Sequence, residues 1–341
     1  MDRREFVVGS AALAARAAAA APERVIETVL GPVPAEQFGL ALPHEHILCD
    51  FAGADATGRH RWDVDEVVRT MRPWLEQVRE RGVRGFVDCT PAYIGRDPRV
   101  LRALAQATGL HIVTNTGYYG GGGGRYVPAH AHSESAEQLA LRWLAECRDG
   151  IEETGIRPGF IKIGIDGASG EPPALSAIDA KLVTAAALAS RRSGRSVTCH
   201  TGGGAGGLAA ARLFVESGGD PARFVLAHSD GYAAEHHQQI LALGAWLSFD
   251  AAGQRPAAAH AATIAGLASD HANRLLLSAD AGWYQVGEPA GGKVRGYEAV
   301  TDVLLPALRA AGLADATLRE LTVANPATVM SLVAPASAII T

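Results

Sequence analysis

No C-x-x-C pair occurs anywhere in the chain: its four cysteines, Cys49, Cys89, Cys147 and Cys199, stand far apart. That scatter excludes a zinc ribbon, a dithiol redox motif and a small disulfide framework. It leaves four thiols to serve as small buried hydrophobes. A basic excess is missing too. The formal net charge is -5, which argues against a nucleic-acid binder, since such proteins ordinarily present a positive surface. Past the N-terminus no apolar run is long enough to span a bilayer. No fixed-period repeat and no linker divides the remainder, which therefore reads as a single domain over 23–335.

The first residues, "MDRREFVVGSAALAARAAAAAPE", have a different character. A basic pair precedes an Ala-rich, modestly apolar run that ends in small residues suited to cleavage. Arg3-Arg4 followed by Glu5-Phe6 resembles the bacterial twin-arginine signal, so residues 1–22 are expected to direct a folded protein to the periplasm. Export after folding suits a protein that loads its cofactor in the cytoplasm. It also weakens any inference from sparse cysteines.

Beyond this segment, short β-rich stretches alternate with Ala/Leu-rich helical ones. The strand candidates are "FGLALPHEH", "GVRGFVDCT", "HIVTNTG", "GFIKIGI", "RSVTCH", "RFVLAHS", "AWLSFD" and "RLLLSAD". Helical patterns such as "VDEVVRTMRPWLEQVRERG", "SAEQLALRWLAECRDGIEETG" and "AIDAKLVTAAALASRRSG" lie between them, the last two closed by glycine. Eight strands separated by helices pair in parallel through right-handed crossovers, and eight closes a (β/α)8 TIM barrel. A doubly wound open sheet is the alternative, but it wants a Gly-rich phosphate loop after its first strand, and "HEHILCD" is unlike one. The glycine run 120–124 sits in a long strand-to-helix loop and reads as mobile.

Chemistry in such a barrel gathers where the strands end. Strand one ends in His44 and His46, which the two-residue period of a strand turns to the same face. Lys162 lies in strand four between Ile161 and Ile163; strands five, six and eight end in His200, His228 and Asp280. A lone strand-end histidine is ordinarily a hydrogen-bonded core residue, and a strand-end Asp is often only a helix cap. Four histidines, an aspartate and a lysine at positions usually filled by branched apolar groups point instead to a metal centre.

The ordered set "PHEH", "DGIEETGIRPGFIKIGI", "TCHTGGG", "LAHSD", "LLLSAD" and the "NPA" at 325–327 resembles the phosphotriesterase family of the amidohydrolase superfamily, including its lactonase members. The likeness covers essentially the whole chain after the signal. It implies two divalent ions, one held by His44, His46 and Asp280 and the other by His200 and His228. It further implies that carbon dioxide carbamylates Lys162, which then bridges both ions together with a hydroxide. A cationic lysine beside two dications would be repelled, whereas the carbamate is an anionic oxygen ligand. Imidazole and carboxylate donors suit zinc, with manganese, cobalt or iron as alternatives. Such pairs, about 3.5–4 Å apart, activate water and polarise the bond under attack. By the same likeness Asp280 takes the proton of the attacking hydroxide, and Asp230 resembles a proton-relay carboxylate.

The loops decide the substrate. Tyr119, in "NTGYYGGGGG", falls where lactonase members resemble one another in having a tyrosine and phosphotriesterases a tryptophan. The expected substrate is therefore a lactone or related small ester, with phosphotriesters second. The polar, Gly-rich "AGWYQVGEPAGGKVRGY" favours a polar or sugar-like lactone, and Lys293, Arg295 and Arg125 are candidates to meet an anionic substituent, although surface solvation is their commoner role. A barrel that binds a ligand without turnover belongs to another class; a structural zinc, however, wants four closed protein ligands, often cysteines, and none are arranged that way. Neither nucleic acid nor stable membrane insertion after signal removal is expected; a homodimer is compatible with the reading. Replacing Arg3 and Arg4 by lysine should retain the protein in the cytoplasm; a Lys-Lys variant recovered from the periplasm would overturn the export assignment.

Overall fold

The computed structural model describes residues 24–170 and 173–332. The expected signal segment, 1–22, lies outside the described residues, as do residues 23 and 333–335. Eight parallel strands form the frame: β1 (Leu40–Glu45), β2 (Val83–Asp88), β3 (His111–Val113 continuing as Asn115–Thr116), β4 (Phe160–Gly164), β5 (Val197–His200), β6 (Phe224–Leu226), β7 (Trp246–Phe249) and β8 (Leu275–Leu277). Neighbours in space are neighbours in sequence. The first half of β3 pairs with β2 and its second half with β4, and the ladder continues in order to β8. An unbroken order has no switch point, so the doubly wound alternative is excluded. The chain folds as a TIM barrel.

The helices between strands carry their own signals. Asp63 accepts from the Glu66 amide to start Val64–Glu80, and Val67, Met71, Leu75 and Val78 form its buried stripe. Ser135 and Gln138 make a reciprocal capping box for Ala136–Asp149. That helix stops at Gly150, earlier than the periodicity predicts, because Glu152 and Glu153 then take positive φ. Gly194 closes Ala177–Ser193 in the left-handed conformation.

Two layers fill the barrel. Its floor is apolar: Ala41, Val87, Val113, Phe160, Val225, Trp246 and Leu276 form one buried cluster, plugged by Ile26 and Phe38 from below and Met330 from the last helix. Moving up each strand by the pleat, the same face becomes polar: Phe160 is followed by Lys162, Trp246 by Ser248 and Asp250, and Leu276 by Ser278 and Asp280.

The barrel closes between β8 and β1 by a different device. The Asp280 amide donates to the His44 carbonyl at 3.1 Å and the His46 amide to the Ala281 carbonyl at 3.0 Å. Glu45, fully buried, accepts from Ser278 Oγ at 2.8 Å and from the Ala279 and Ala281 amides at 2.9 and 2.7 Å. Burial pushes its carboxyl up to about 8 against the pull of those three donors. Glu45→Gln leaves one acceptor oxygen for donors that use two. It should lower unfolding free energy by about 1–3 kcal/mol, the cost of a stranded buried donor; denaturant titration of the metal-stripped protein checks this, and unchanged stability would show that Glu45 does not clamp the seam.

Candidate metal centre

His44 does not reach the site by simple alternation. Leu42, two residues earlier, packs outward among the helices, and a register irregularity between Leu42 and Glu45 turns His44 inward. Bulges near sites commonly re-aim side chains in this way. His46 then lies beside it, with ring centroids 5.5 Å apart. His228 needs a sharper device, and Asp280, although the pleat already turns it inward, shares the same unusual backbone. The pleat would send Ala227 inward, and His228 turns through φ 59°, while Asp280 adopts φ 45°. An L-residue in this left-handed region costs about 1–2 kcal/mol. Strain of this kind collects at functional sites, where the surroundings over-determine it.

The side chains converge. His46 Nε2 lies 3.1 Å and His44 Nε2 3.7 Å from Asp280 Oδ1. Lys162 Nζ is 3.4 Å from His44 Nε2. The rings of His44 and His228 are 4.9 Å apart, and those of His228 and His200 are 4.6 Å apart. All six residues line one cavity of about 270 Å³.

Electrostatics suit a cation. Burial, aided by Lys162, pushes His44 well below its ordinary value; burial, then His228 and Lys162, does the same to His200. Burial and His44 bring His228 down to about 4. Neutral imidazoles with free lone pairs are the ligand-competent form. For Asp280 burial works upward, but the surrounding histidines outweigh it and hold the carboxyl well below its usual value. His44, His46 and Asp280 alone gather three donor atoms within 4.8 Å. The His200–His228 pair offers two imidazoles, with the Lys162 side chain lining the same cavity. On this donor chemistry the residues fit two ions.

Sequence reasoning missed the residues that aim these ligands. Asp250, fully buried at the end of β7, has Oδ2 2.9 Å from His44 Nδ1 and accepts from the His228 amide at 2.9 Å. Ser248 hydroxyl bonds its other oxygen at 2.5 Å. His44, His228 and Asp250 also bring three donor atoms together, but Asp250 is occupied by these donors: it orients the His44 ring and pins the His228 backbone. Thr90 Oγ1, 2.8 Å from His46 Nδ1, has the same role and is itself backed by Asp88 at 3.3 Å. The signal was present: "AWLSFD" ends in a carboxylate at the level of the other strand-end ligands.

Asp230 stands one cavity away. Its oxygens accept from the Asp250 and Ala251 amides at 2.9 and 3.2 Å, and His260 Nε2 lies 2.7 Å off, outside hydrogen-bond geometry. Burial raises its carboxyl, but His260 and those amides outweigh burial and hold it low. It caps no helix, since Ala234–Leu243 begins after Ala233. A second cavity, of about 360 Å³, is lined by Asp230 and shares His228 and Asp280 with the first.

Tyr119 packs its ring 4.9 Å from His200. It can do so because Gly164 and Gly121 lack side chains: a Cβ at either would lie within 2.4 and 2.7 Å of the ring. Burial, with Asp280 and Asp166 nearby, pushes its phenol upward, and the hydroxyl has no hydrogen-bond partner among the described residues. The glycine run that follows winds into a compact turn. Gly122, Gly123 and Gly124, with φ 74°, 68° and 75°, wind a left-handed turn whose first two amides donate to Asp166 at 2.5 and 2.8 Å. From the loop after β8 comes an aromatic rather than a polar wall: Trp283 packs against His46 at 5.7 Å and Phe51 at 6.0 Å. Lys293 is exposed on the same loop and does not line the cavity.

The sequence pattern of the phosphotriesterase family matches residues 24–330. The chain belongs to that family. It is 28% identical to the phosphotriesterase homology protein of Escherichia coli over 298 residues, 84% of this chain and 96% of that one. The organophosphorus hydrolase of Deinococcus radiodurans superposes with a TM-score of 0.79 at 29% identity, covering 91% of this chain and 98% of its own. A multiply substituted PTE-like lactonase of the same organism gives 0.79 at 29% identity over 89% and 99%. This phosphotriesterase-family chain is thus a hydrolase of a kind that depends on paired metal ions. Lys162→Ala should lose most bound metal, read by elemental analysis, and short carboxylic acids should partly restore it; a variant that keeps two tightly held ions would remove Lys162 from the centre.

Proposed function

We propose that this protein is a binuclear hydrolase that opens lactones. The observation that carries this reading is the unpartnered Tyr119 phenol beside His200, on the wall of the cavity that holds all six candidate ligands. His44, His46 and Asp280 would hold one ion and His200 and His228 the other, and Lys162, once carbamylated by carbon dioxide, would supply an anionic oxygen donor; zinc is the metal this donor set suits. Paired divalent ions, when bound, supply an acidified water and polarise the bond under attack. Phe51, Tyr126 and Trp283 bury the apolar part of the substrate and exclude bulk water. The Tyr119 hydroxyl donates to a substrate oxygen and fixes the ring over the ligands. Asp280 receives the proton of the attacking water, and Asp230, beside His260, passes it outward.

Phosphotriester hydrolysis is the second reading, favoured by the likeness to the organophosphorus hydrolase. Assay of the zinc-loaded protein on a lactone panel and an aryl phosphotriester separates the two. Tyr119→Phe keeps the packing and deletes one hydrogen bond, so lactone kcat/KM should fall by about 1–3 kcal/mol, roughly tenfold to a hundredfold, while phosphotriester turnover changes little. Equal losses on both substrates would mean that the phenol supports the site in general, and no loss on either would return it to packing.

A further inference from the structure

The metal-ligand cluster lies between two unlike lobes. One is the aromatic cavity of Phe51, Tyr126 and Trp283. The other, joined to it through His228 and Asp280, is polar, and its lining includes Gly202, Gly203, Asp230, Asp250, Gln254 and Arg255. Gly202 cannot carry a side chain, because a Cβ there would lie 1.7 Å from the Asp166 carbonyl oxygen, and nothing stands within 4 Å of one at Gly203. Side chains are therefore absent from that wall, which leaves room for a substituent of the substrate.

Arg255 is the one cation among the residues lining this lobe. Its guanidinium lies over Gly231, 3.6 Å from where a Cβ would be, in the segment that follows Asp230. It is exposed, and among the described residues it has neither an ion-pair partner nor a hydrogen bond. The nearby carboxylates are already engaged: Asp230 by two amides and His260, Asp250 by His44, His228 and Ser248, and Asp280 by His46. A free, forked donor beside engaged carboxylates is available to an incoming anion, and guanidinium geometry matches a carboxylate or phosphate bidentately. The mouth of the aromatic lobe repeats the charge. Arg125 lies 5.7 Å over Tyr126 and Arg295 5.9 Å over Trp283, and both are exposed. These guanidiniums offset the carboxylates of the same clefts, Asp166 at the rim and Asp230, Asp250 and Asp280 within, so the anion site is local to Arg255 rather than a field of the whole cleft.

We propose that the substrate carries an anionic oxygen group, carboxylate or phosphate, which Arg255 binds in the polar lobe while the ring to be opened sits under Tyr119. This rests on the lactonase reading for the reaction but not for the binding. Arg255 is a specificity residue rather than a catalytic one.

The test uses the metal-loaded full chain, Arg255→Gln and Arg255→Lys. The kinetic probes are 5-oxotetrahydrofuran-2-carboxylate, its neutral carboxamide and a phosphate-bearing γ-lactone. Wild type should prefer at least one anionic lactone to the carboxamide by tenfold or more in kcat/KM, and which one it prefers identifies the anion. Arg255→Gln should raise KM for that substrate tenfold or more, with kcat and carboxamide turnover within about twofold, and Arg255→Lys should recover part of the loss. A preference that persists in Arg255→Gln, or that is absent in wild type, overturns the proposal. Cyclopentanesulfonate, which has no bond to hydrolyse and is a poor metal ligand, gives a readout independent of turnover. Calorimetry should show it binding wild type at least tenfold more tightly than Arg255→Gln. If neither lactone is turned over but this difference holds, the lactonase reading fails and the anion site stands; equal binding overturns the site whatever the reaction.

Discussion

Glu45 ties together residues more than two hundred positions apart. By accepting from Ser278, Ala279 and Ala281 it holds the end of β8 against the end of β1. No regular ladder joins these two strands, so the carboxylate and the two backbone bonds beside it set the seam. Asp280 and the His44–His46 pair lie on opposite sides of that seam. Their 3.1 Å approach is a consequence of closing the barrel there. The residue between the two histidines thus fixes the distance at which the histidines work.

Stability and chemistry are layered along the barrel axis. An apolar floor capped by Ile26, Phe38 and Met330 carries hydrophobic burial, and the next turn of the pleat substitutes Lys162, Ser248, Asp250 and Ser278 for aliphatic groups. Each of those polar groups is affordable only with partners, because an unsatisfied buried donor or acceptor costs about 1–3 kcal/mol. Asp250 meets the requirement by serving one ring, one backbone amide and a hydroxyl at once. Left-handed backbone at His228 and Asp280 adds strain in the same layer. The floor below supports an upper layer that is unfavourable by itself.

Much of this was legible in the residues. Strand periodicity and order gave the barrel, and polar residues at strand ends gave the cluster, because a period of two and an apolar norm are both visible in one dimension. What stayed hidden depended on local departures from that period. The bulge that turns His44 inward, and the positive φ that turns His228, break the pleat at the residues that matter. Asp250 was in plain view at the end of "AWLSFD", but an orienting carboxylate is recognised only by what it touches. Trp283 was obscured by the glycines and charges around it; a loop's composition does not say which of its side chains faces inward. The capping glycine of Ala136–Asp149 was placed too late for a similar reason, since the turn at Glu152 and Glu153 has no strong sequence mark.

The left-handed turn at Gly122, Gly123 and Gly124 has a consequence for heredity. Every single-nucleotide change in a glycine codon that still encodes an amino acid other than glycine introduces a Cβ, and each of these three backbones sits near φ +70°. The penalty there is about 1–2 kcal/mol for most side chains and less for Asp, whose carboxylate can bond the local backbone. Space alone would admit a substitution at Gly123 or Gly124, where nothing stands within 4 Å of a Cβ. A stretch with no chemistry of its own is thereby biased toward glycine by the handedness of the chain. That bias shields the Asp166 clasp, and with it the wall next to Tyr119, from part of the variation that ordinarily remodels loops.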